Sequence, residues 1–360
     1  MQFKLSSSAF LLASATCANM IKEDHSTTKM MKSIVYGKVT VQSKLKPIPS
    51  PKRHQALIRV CAAGLNPVDA KGVVGDKLPQ NWKASRWVTD YIADGHTIGF
   101  EFSGKVVECP SNMYLPGDDV YGCMPPFGGT LSEYICPPLD QIQRKPAEWS
   151  HEQAACAVLV GLTALQALQS EVGELSSILI IGASGGTGHI GVQVSKCLGA
   201  TTIVGVCSAK NSAFVKSCGA TYVVDYGNEN FIDEIDKLGP FDVIFDCVTS
   251  ADPRDLQWTY PKLLLPFCKQ RYIRLGGRSI DWLKAGCERI LGVTCFGKEK
   301  LFWIRFPHSS EELKRLNGWC NELRLTPTVS EVIAFTQPDV QEALDRINTR
   351  RVQGKLVVRI

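Results

Sequence analysis

The sequence predicts an α/β fold in two domains, on two observations. Between Ser33 and about Pro146, short apolar runs are broken by Pro, Gly and Asp pairs, which is typical of short, mostly antiparallel strands that close a small β-barrel. From Ser150 to about Phe306, apolar runs alternate with helical stretches, which predicts βαβ units around a doubly wound parallel sheet. The predicted parallel strands are 177–181, 202–207, 222–225, 241–247 and 272–275.

The C-terminal stretch returns to a strand, a helix and a strand, predicted over 328–335, 338–348 and 355–360. A last strand of that kind is able to pair with the first domain, which would then be discontinuous. We therefore expect a first domain over 31–150, a parallel-sheet domain over 151–322 and a return to the first domain over 323–360.

Residues 1–30 differ from the rest of the chain. They have a short apolar centre at 10–15, small residues after it and no acidic residue before Glu23, which is typical of a targeting segment. The address is open between mitochondrion and plastid, and a disordered tail is the alternative, which would leave the protein cytoplasmic.

Composition restricts the function classes. The net charge of +5 comes from 40 basic and 35 acidic residues spread along the chain, which disfavours a nucleic-acid partner but suits an anionic ligand. No apolar run approaches the roughly 18 residues of a membrane span. The 14 cysteines form no C-x-x-C motif and there is no N-x-S/T sequon, so reduced, buried thiols are expected.

The strongest motif lies where the first parallel strand ends. Gly186-Thr187-Gly188-His189-Ile190-Gly191 fits G-x-G-x-x-G at a strand-to-helix turn. Glycines there allow the backbone to approach a pyrophosphate, whose charge meets the amides of a helix N-terminus. The position predicts a dinucleotide site rather than a purely structural turn.

The next strand indicates which dinucleotide binds. NAD sites place an acidic residue at its end for the ribose diol, but here Ser208 and Lys210 follow the strand. A neutral or basic pair suits a 2′-phosphate, so the sequence favours NADPH, although an exposed lysine at a strand end is common.

Nine segments occur in the order seen in the medium-chain dehydrogenase/reductase superfamily, and they most resemble its zinc-free quinone oxidoreductase branch. The segments are CAAGLNPVDAK, TIGFEFSGKVV, PGDDVYG, GGTLSEY, VGLTALQAL, GASGGTGHIG, KSCGATYVVDY, FDVIFDCV and GKLVVRI. Within that branch the chain is similar to reticulon-interacting mitochondrial oxidoreductases and to plant enone and alkenal reductases. The resemblance implies a GroES-like catalytic domain, a Rossmann domain, a cleft between them and NADPH-dependent reduction of quinones or α,β-unsaturated carbonyls. Homodimers are common in this branch.

The resemblance also implies roles for individual residues. The cofactor loop falls on Ser184 and Gly185 together with the glycine motif, and Thr163 is expected beside the nicotinamide. The 2′-phosphate contacts fall on Ser208, Lys210 and Tyr226. The cofactor-binding positions are thus Thr163, Ser184, Gly185, Gly186, Thr187, Gly188, Gly191, Ser208, Lys210 and Tyr226.

Zinc ligands are missing from the motifs where zinc enzymes of the superfamily carry them. Phe100 stands where a G-H-E motif has its histidine, and Asn66 follows Ala63-Gly64-Leu65 where a cysteine would lie. No group of four closely spaced cysteines is present for a structural zinc. We expect no metal.

Without a metal, hydrogen bonds must stabilise the developing oxyanion. Asn66 and Lys71 in the NPVDAK segment are the candidate catalytic residues, with Lys71 able to polarise a carbonyl and relay a proton. Two alternatives stay open: Lys71 is a solvated loop residue, and Asn66 and Asp69 serve turn geometry.

The substrate pocket and the activity itself leave alternatives. An aromatic-rich insertion over 75–96 is either a lid over an apolar substrate or local packing. A cofactor site shows binding and not turnover, so a non-catalytic NADPH-binding protein is the alternative to a quinone or enone reductase.

Overall fold

The computed structural model describes residues 29–37, 40–71, 94–125, 128–249, 264–277, 281, 283–287, 297–302, 304–305, 309–322 and 325–360. Within them, an N-terminal group of strands is followed by a parallel sheet and a C-terminal return. The first seven strands are β1 (Met30–Val35), β2 (Gln42–Pro47), β3 (Leu57–Gly64), β4 (Glu101–Glu108), β5 (Asp119–Cys123), β6 (Tyr134–Ile135) and β7 (Ile142–Arg144).

Strands β1 and β2 form a separate two-stranded sheet, and of the two larger sheets the first receives its last two strands from the C-terminal part of the chain. Strands β14 (Val329–Ala334) and β15 (Lys355–Arg359) are joined by helix α7 (Gln337–Asn348). The strand order is β14-β15-β3-β4-β5-β7, with β6 also paired to β3. Strand β15 runs antiparallel to β3 and pairs Val357 with Gly64, so the C-terminus lies directly beside the turn that follows β3.

The second sheet is wholly parallel. Its strands are β8 (Ser177–Ile181), β9 (Thr202–Cys207), β10 (Tyr222–Asp225), β11 (Phe241–Asp246), β12 (Cys268–Arg274) and β13 (Glu299–Leu301). The order β10-β9-β8-β11-β12-β13 is that of a Rossmann fold, in which a ligand lies at the carboxyl ends of the central strands. The predicted fold class is confirmed, and β8, β9 and β10 have the predicted bounds.

The remaining helices are α1 (Pro67–Lys71), α2 (His151–Leu168), α3 (Gly186–Cys197), α4 (Ser212–Ser217), α5 (Phe231–Leu238) and α6 (Ser309–Asn321). Helix α2 connects the sheets: it packs on β3, β4 and β15 and also on α3. Because both domains enclose α2, the helix itself carries apolar, buried residues on nearly all of its sides. Its first turn is fixed by a capping box between Ser150 and Gln153.

Helices in the described part of the chain lack the combination of length and apolarity that a bilayer crossing requires.

Candidate functional site

The glycine-rich turn lies between β8 and α3, at the centre of the parallel sheet. Gly182 has a φ of +76°, and its carbonyl oxygen accepts a hydrogen bond from Gly185 N at 3.0 Å. A Cβ on Gly188 would lie 2.1 Å from that same oxygen, and one on Gly191 would lie 3.1 Å from the Phe245 ring. Only glycine fits Gly188, so the tight turn depends on the motif.

The first turn of α3 has the properties of an anion site. Gly185 precedes the helix and provides no side-chain cap, so the first-turn amides, which include those of Gly186, Thr187 and Gly188, lack a partner within the helix. Together with the helix dipole, such amides bind phosphate groups. The loop therefore fits the pyrophosphate of a dinucleotide.

A second polar group lies where β9 ends. Asn211 Nδ2 donates to Ser184 Oγ at 3.1 Å and to Ser208 Oγ at 3.3 Å. Since the two serines share one amide, the end of β9 and the glycine-rich turn form a continuous polar surface. Asn211 was not among the predicted site residues, although it lies one position after the predicted Lys210, which is exposed.

A basic residue, Arg351, contacts Tyr226, which is one of the residues predicted to bind the 2′-phosphate. The Tyr226 backbone donates to Cys207 O at 3.2 Å, next to Ser208, and Arg351 Nη1 donates to the Tyr226 hydroxyl at 3.2 Å. The sequence showed Arg351 only as half of a basic pair. Because Arg351 lies 125 residues from Tyr226 in the sequence, the sequence alone did not indicate this contact.

The NPVD segment, which consists of Asn66 and the first residues of α1, forms a closed turn. Asp69 accepts hydrogen bonds from Asn66 N at 2.8 Å and Gly99 N at 3.2 Å. The carboxylate is buried and joins the turn to the chain that leads into β4. The expected structural role of Asp69 in the turn is confirmed.

Asn66, Glu101 and Lys355 form a buried group, here called the Lys355 cluster. Lys355 Nζ lies 2.8 Å from Glu101 Oε1 and donates to Asn66 Oδ1 at 2.5 Å and to Leu65 O at 2.7 Å. Asn66 Nδ2 donates to Glu101 Oε1 at 2.8 Å. The Asn66 amide is thus held at both ends, and within the described part of the chain Glu101 accepts one of its two Nδ2 hydrogens while the other remains for a further acceptor.

The Lys355 cluster also contacts the glycine-rich turn, which fits the pyrophosphate of a dinucleotide. A Cβ placed on Gly186 would lie 2.8 Å from Lys355 Cδ, and Gly354 N donates to Ser184 O at 3.0 Å. Glu101 Oε2 accepts from Leu159 N in α2 at 2.6 Å. Thr163, predicted beside the nicotinamide, lies one turn further along α2 and is half-buried.

Burial controls the electrostatics of this region. It raises the pKa of the Asp69 carboxyl from 3.8 to about 7, with Glu101 adding to the shift while Lys355 and the two backbone amides oppose it. Burial, and then Asp69, raise the pKa of Tyr36. The turn that carries Asn66 therefore contains a fully buried carboxyl group whose pKa lies at about 7.

The donor set does not fit a catalytic zinc. Glu101 is already paired with Lys355 and bonded to Leu159 N, and the adjacent Phe100 has no ligand atom. The part of the chain that the structure describes contains no group of three or more His, Cys, Asp or Glu side chains able to hold a metal ion. The reduction proposed for this site therefore uses no metal ion.

Three predicted features lie partly or wholly outside the described residues. The backbone of Lys71 ends α1, but its side chain is not described. Nor are positions 75–93 of the predicted insertion, or residues 1–28 of the predicted targeting segment.

Comparison with known proteins agrees with this architecture. The model of the alcohol dehydrogenase GroES-like domain matches residues 52–147, and the model described as zinc-binding dehydrogenase matches residues 218–358. The quinone oxidoreductase structure from Coxiella burnetii superposes with a TM-score of 0.73 at 28% identity, covering 92% of this chain and 100% of that one.

Two curated relatives extend over most of the chain. NAD(P)H oxidoreductase RTN4IP1, mitochondrial, from Bos taurus is 34% identical, covering 85% of this chain and 82% of its own. NADPH-dependent alkenal/one oxidoreductase, chloroplastic, from Arabidopsis thaliana is 29% identical, covering 96% and 83%. These matches imply an oxidoreductase that uses a nicotinamide cofactor. The chain belongs to the medium-chain dehydrogenase/reductase superfamily, in its zinc-free reductase branch.

Proposed function

We propose that this protein is an NADPH-dependent, zinc-independent reductase that transfers hydride to a quinone or to the β-carbon of an α,β-unsaturated carbonyl. The observation that carries the proposal is the Lys355 cluster, which links Asn66 to the glycine-rich turn through one lysine side chain. A nicotinamide cofactor held on that turn would therefore lie beside the NPVD segment. The acceptor classes are those named for two relatives, the alkenal/one oxidoreductase and the quinone oxidoreductase.

The preference for NADPH rests on the residues after β9. Ser208 and Asn211 present a hydroxyl and an amide in place of an acidic residue, and the exposed Lys210 lies between them. Arg351 adds a second cation at the Tyr226 hydroxyl. Cations and hydroxyl groups suit the 2′-phosphate that distinguishes NADPH from NADH.

The bound cofactor supplies the hydride, and residues of this chain must stabilise the charge that develops on the acceptor oxygen. Lys355 holds Asn66 Oδ1 and thereby polarises the amide, which makes the remaining Nδ2 hydrogen a stronger donor. We assign this hydrogen, together with the Lys71 ammonium group, to the acceptor oxygen. For a conjugated carbonyl, the hydride forms the new C–H bond at the β-carbon, and a proton from solvent completes the α-carbon. For a quinone, hydride and proton together give the quinol.

A second candidate is a non-catalytic NADPH-binding protein of the same fold. The glycine-rich turn and the Arg351 contact would serve binding equally well. The Lys355 cluster favours catalysis because it orients an amide on the substrate side of the cleft, where binding of the cofactor alone has no need of it.

We further propose that residues 1–30 direct the protein to an organelle. The composition of this segment supports the proposal, and the two relatives described above are a mitochondrial and a chloroplastic protein. A fusion of residues 1–30 to a fluorescent protein tests the proposal: organellar fluorescence supports it, and diffuse cytoplasmic fluorescence contradicts it.

The experiment for the main proposal follows NADPH absorbance with metal-stripped protein and a panel of quinones, 2-alkenals and enones. NADH serves as the matched cofactor. We expect turnover without added metal and with NADPH preferred. Absence of turnover across the panel, with NADPH binding intact in a calorimetric titration, would favour the non-catalytic alternative.

A further inference from the structure

His189 lies inside the glycine motif, and its side chain is fully buried. Its ring packs against Phe214, with centroids 5.9 Å apart and planes tilted by 38°. Both ring nitrogens have backbone partners: Nδ1 lies 2.9 Å from Gly185 O, and Nε2 accepts from Thr328 N at 3.2 Å. Such complete use of a buried imidazole inside a cofactor motif calls for a role.

The partners fix the tautomer of the ring. Thr328 N can only donate, so Nε2 is the acceptor and carries no hydrogen. Gly185 O can only accept, so Nδ1 carries the hydrogen and donates. Protonation of Nε2 would set two N–H groups against each other. Consistent with this, burial, with a smaller contribution from Lys355, lowers the pKa of His189 to about 4.

The hydrogen bond from His189 Nδ1 to Gly185 O acts on the Gly185–Gly186 peptide, which begins α3. Gly185 O accepts from both His189 N, at 3.0 Å, and His189 Nδ1, at 2.9 Å. The Gly185–Gly186 bond is trans, since Gly239–Pro240 is the cis bond among the described residues. In a trans peptide the N–H points opposite to the C=O. Holding Gly185 O toward the helix therefore aims Gly186 N–H outward, at the anion site.

We infer that His189 is a positioning residue for the cofactor, which sets the Gly186 amide for the pyrophosphate and ties that amide to the C-terminal return. This inference rests on the proposed function, because it requires a dinucleotide on the glycine-rich turn. It adds a residue that neither contacts the cofactor nor belongs to the glycines of the motif.

The second half of the link runs through Thr328. Thr328 N donates to His189 Nε2, and Thr328 O accepts from Lys355 N at 3.1 Å. The side chain of Lys355 then bonds to Asn66. Four hydrogen bonds, connected covalently through Thr328 and Lys355, thus join the Gly185–Gly186 peptide to Asn66 on the proposed substrate side, and His189 lies at the end next to that peptide.

The test compares three substitutions that separate the two ring nitrogens. His189→Asn places an amide donor near the position of Nδ1, His189→Gln places an acceptor near the position of Nε2, and His189→Ala removes both. The control is Gln193→Ala one turn later, which loses bonds to Thr326 N at 2.7 Å, to Thr326 O at 3.1 Å and to the backbone oxygen of His189 at 3.2 Å, and leaves both ring nitrogens of His189 with their partners. It weakens attachment to the same C-terminal segment without touching Gly185.

Calorimetric titration with NADPH and steady-state kinetics provide the readouts. Loss of one oriented hydrogen bond corresponds to a roughly tenfold change in an equilibrium constant. We expect His189→Ala and His189→Gln to raise Kd and KM for NADPH about tenfold with kcat nearly unchanged at saturation. His189→Asn should bind within about twofold of wild type, and Gln193→Ala should bind as wild type does although its Tm falls.

The pH dependence of stability gives an independent readout. The folded-state pKa of about 4 lies below the ordinary value of 6.5, so the unfolded chain takes up the proton first as pH falls. Stability should therefore decline between pH 6.5 and 4, and His189→Asn should remove that part of the decline. Lys355 is the charged group that acts on His189 from the neighbouring strand.

Two results would overturn the inference. Wild-type affinity in both His189→Ala and His189→Gln would show that the ring does not position the amide, and equal losses in Gln193→Ala would show a general effect of destabilisation. Failure of the wild-type protein to bind NADPH or NADH would instead remove the proposed function, and the inference with it. If His189→Ala does not fold, the contrast between His189→Asn and His189→Gln decides.

Discussion

The ammonium group of Lys355 lies 2.8 Å from the carboxylate of Glu101, and their side chains are only 4% and 0% exposed. Lys355 comes from the last strand of the chain and Glu101 from the first residue of β4. Charges removed from water in this way must compensate each other, because an unpaired buried charge is strongly unfavourable. The pair therefore sets both the stability and the geometry of the proposed cleft.

Breaking this pair should be costly, and removing both charges should not. We expect Lys355→Met and Glu101→Gln each to lower the free energy of unfolding by about 3–5 kcal/mol, and the double variant to recover much of that loss. Urea denaturation of all four proteins measures the coupling. The matched control is Arg359→Met on the same strand, which breaks the exposed Arg359–Glu152 pair and should cost less than about 1 kcal/mol. Additive losses for Lys355 and Glu101 would contradict the account.

Cofactor preference should depend on charge after β9. Lys210→Asp and Arg351→Leu remove cations from the proposed 2′-phosphate site, so we expect kcat/KM for NADPH to fall roughly tenfold or more in each, while the value for NADH changes little. Lys237→Asp on α5 is the control for a change of net charge. An unchanged NADPH to NADH ratio in both site variants would remove these residues from the assignment.

The tight turn should not tolerate a side chain at Gly188. A Cβ there would lie 2.1 Å from Gly182 O, whereas a Cβ on Gly173 meets nothing within 4 Å. We expect Gly188→Ala to abolish measurable NADPH binding and to lower Tm by several degrees, since the backbone has to move. Gly173→Ala should retain wild-type affinity and stability. Intact NADPH affinity in Gly188→Ala would show that the turn is not the dinucleotide site.

Asp69 should make the protein less stable as the solution approaches neutrality. Its folded-state pKa of about 7 lies above the ordinary value of 3.8, so the folded protein holds the proton longer than the unfolded chain does. The stability contributed by the neutral carboxyl is complete below pH 3.8 and is lost as pH rises toward 7. Tyr36, Glu101 and Lys355 are the titratable neighbours.

Substitution distinguishes this slope from others in the protein. Asp69→Asn should flatten the decline between pH 4 and 7, measured as the urea midpoint at a series of pH values. Asp118→Asn provides a control of opposite sign, because the hydrogen bond from Arg144 lowers the pKa of that carboxyl and its contribution is lost as pH falls. An unaltered slope in Asp69→Asn would contradict the assignment.

Periodicity was sufficient to predict the parallel sheet because its central strands, β8 and β11, are buried along nearly their whole length. The runs that became β8, β9 and β10 are short, apolar and bounded by glycine or polar residues, so strand ends and motif position could be predicted together. The glycine motif was located for the same reason. The domain boundaries after residues 150 and 322 stay predictions, as do the roles of Thr163 and Lys71.

The Lys355 cluster could not be predicted in the same way. Lys355 and Asn66 are 289 residues apart, and each has an ordinary local explanation: a lysine at the start of a strand, and an asparagine in a turn. The same holds for Arg351 and Tyr226. Pairings of this kind depend on which strand joins which sheet, and the single clue was a lysine in the otherwise apolar GKLVV segment.

Isotope labelling most directly tests the proposed transfer of hydride from NADPH to the acceptor. Metal-stripped protein would be incubated with NADPH carrying deuterium at both C4 positions and with a 2-alkenone, and the product would be examined by NMR. Hydride transfer to the β-carbon should place deuterium there, with the α-carbon proton derived from water. Deuterium at the carbonyl carbon, or a product without label, would contradict it.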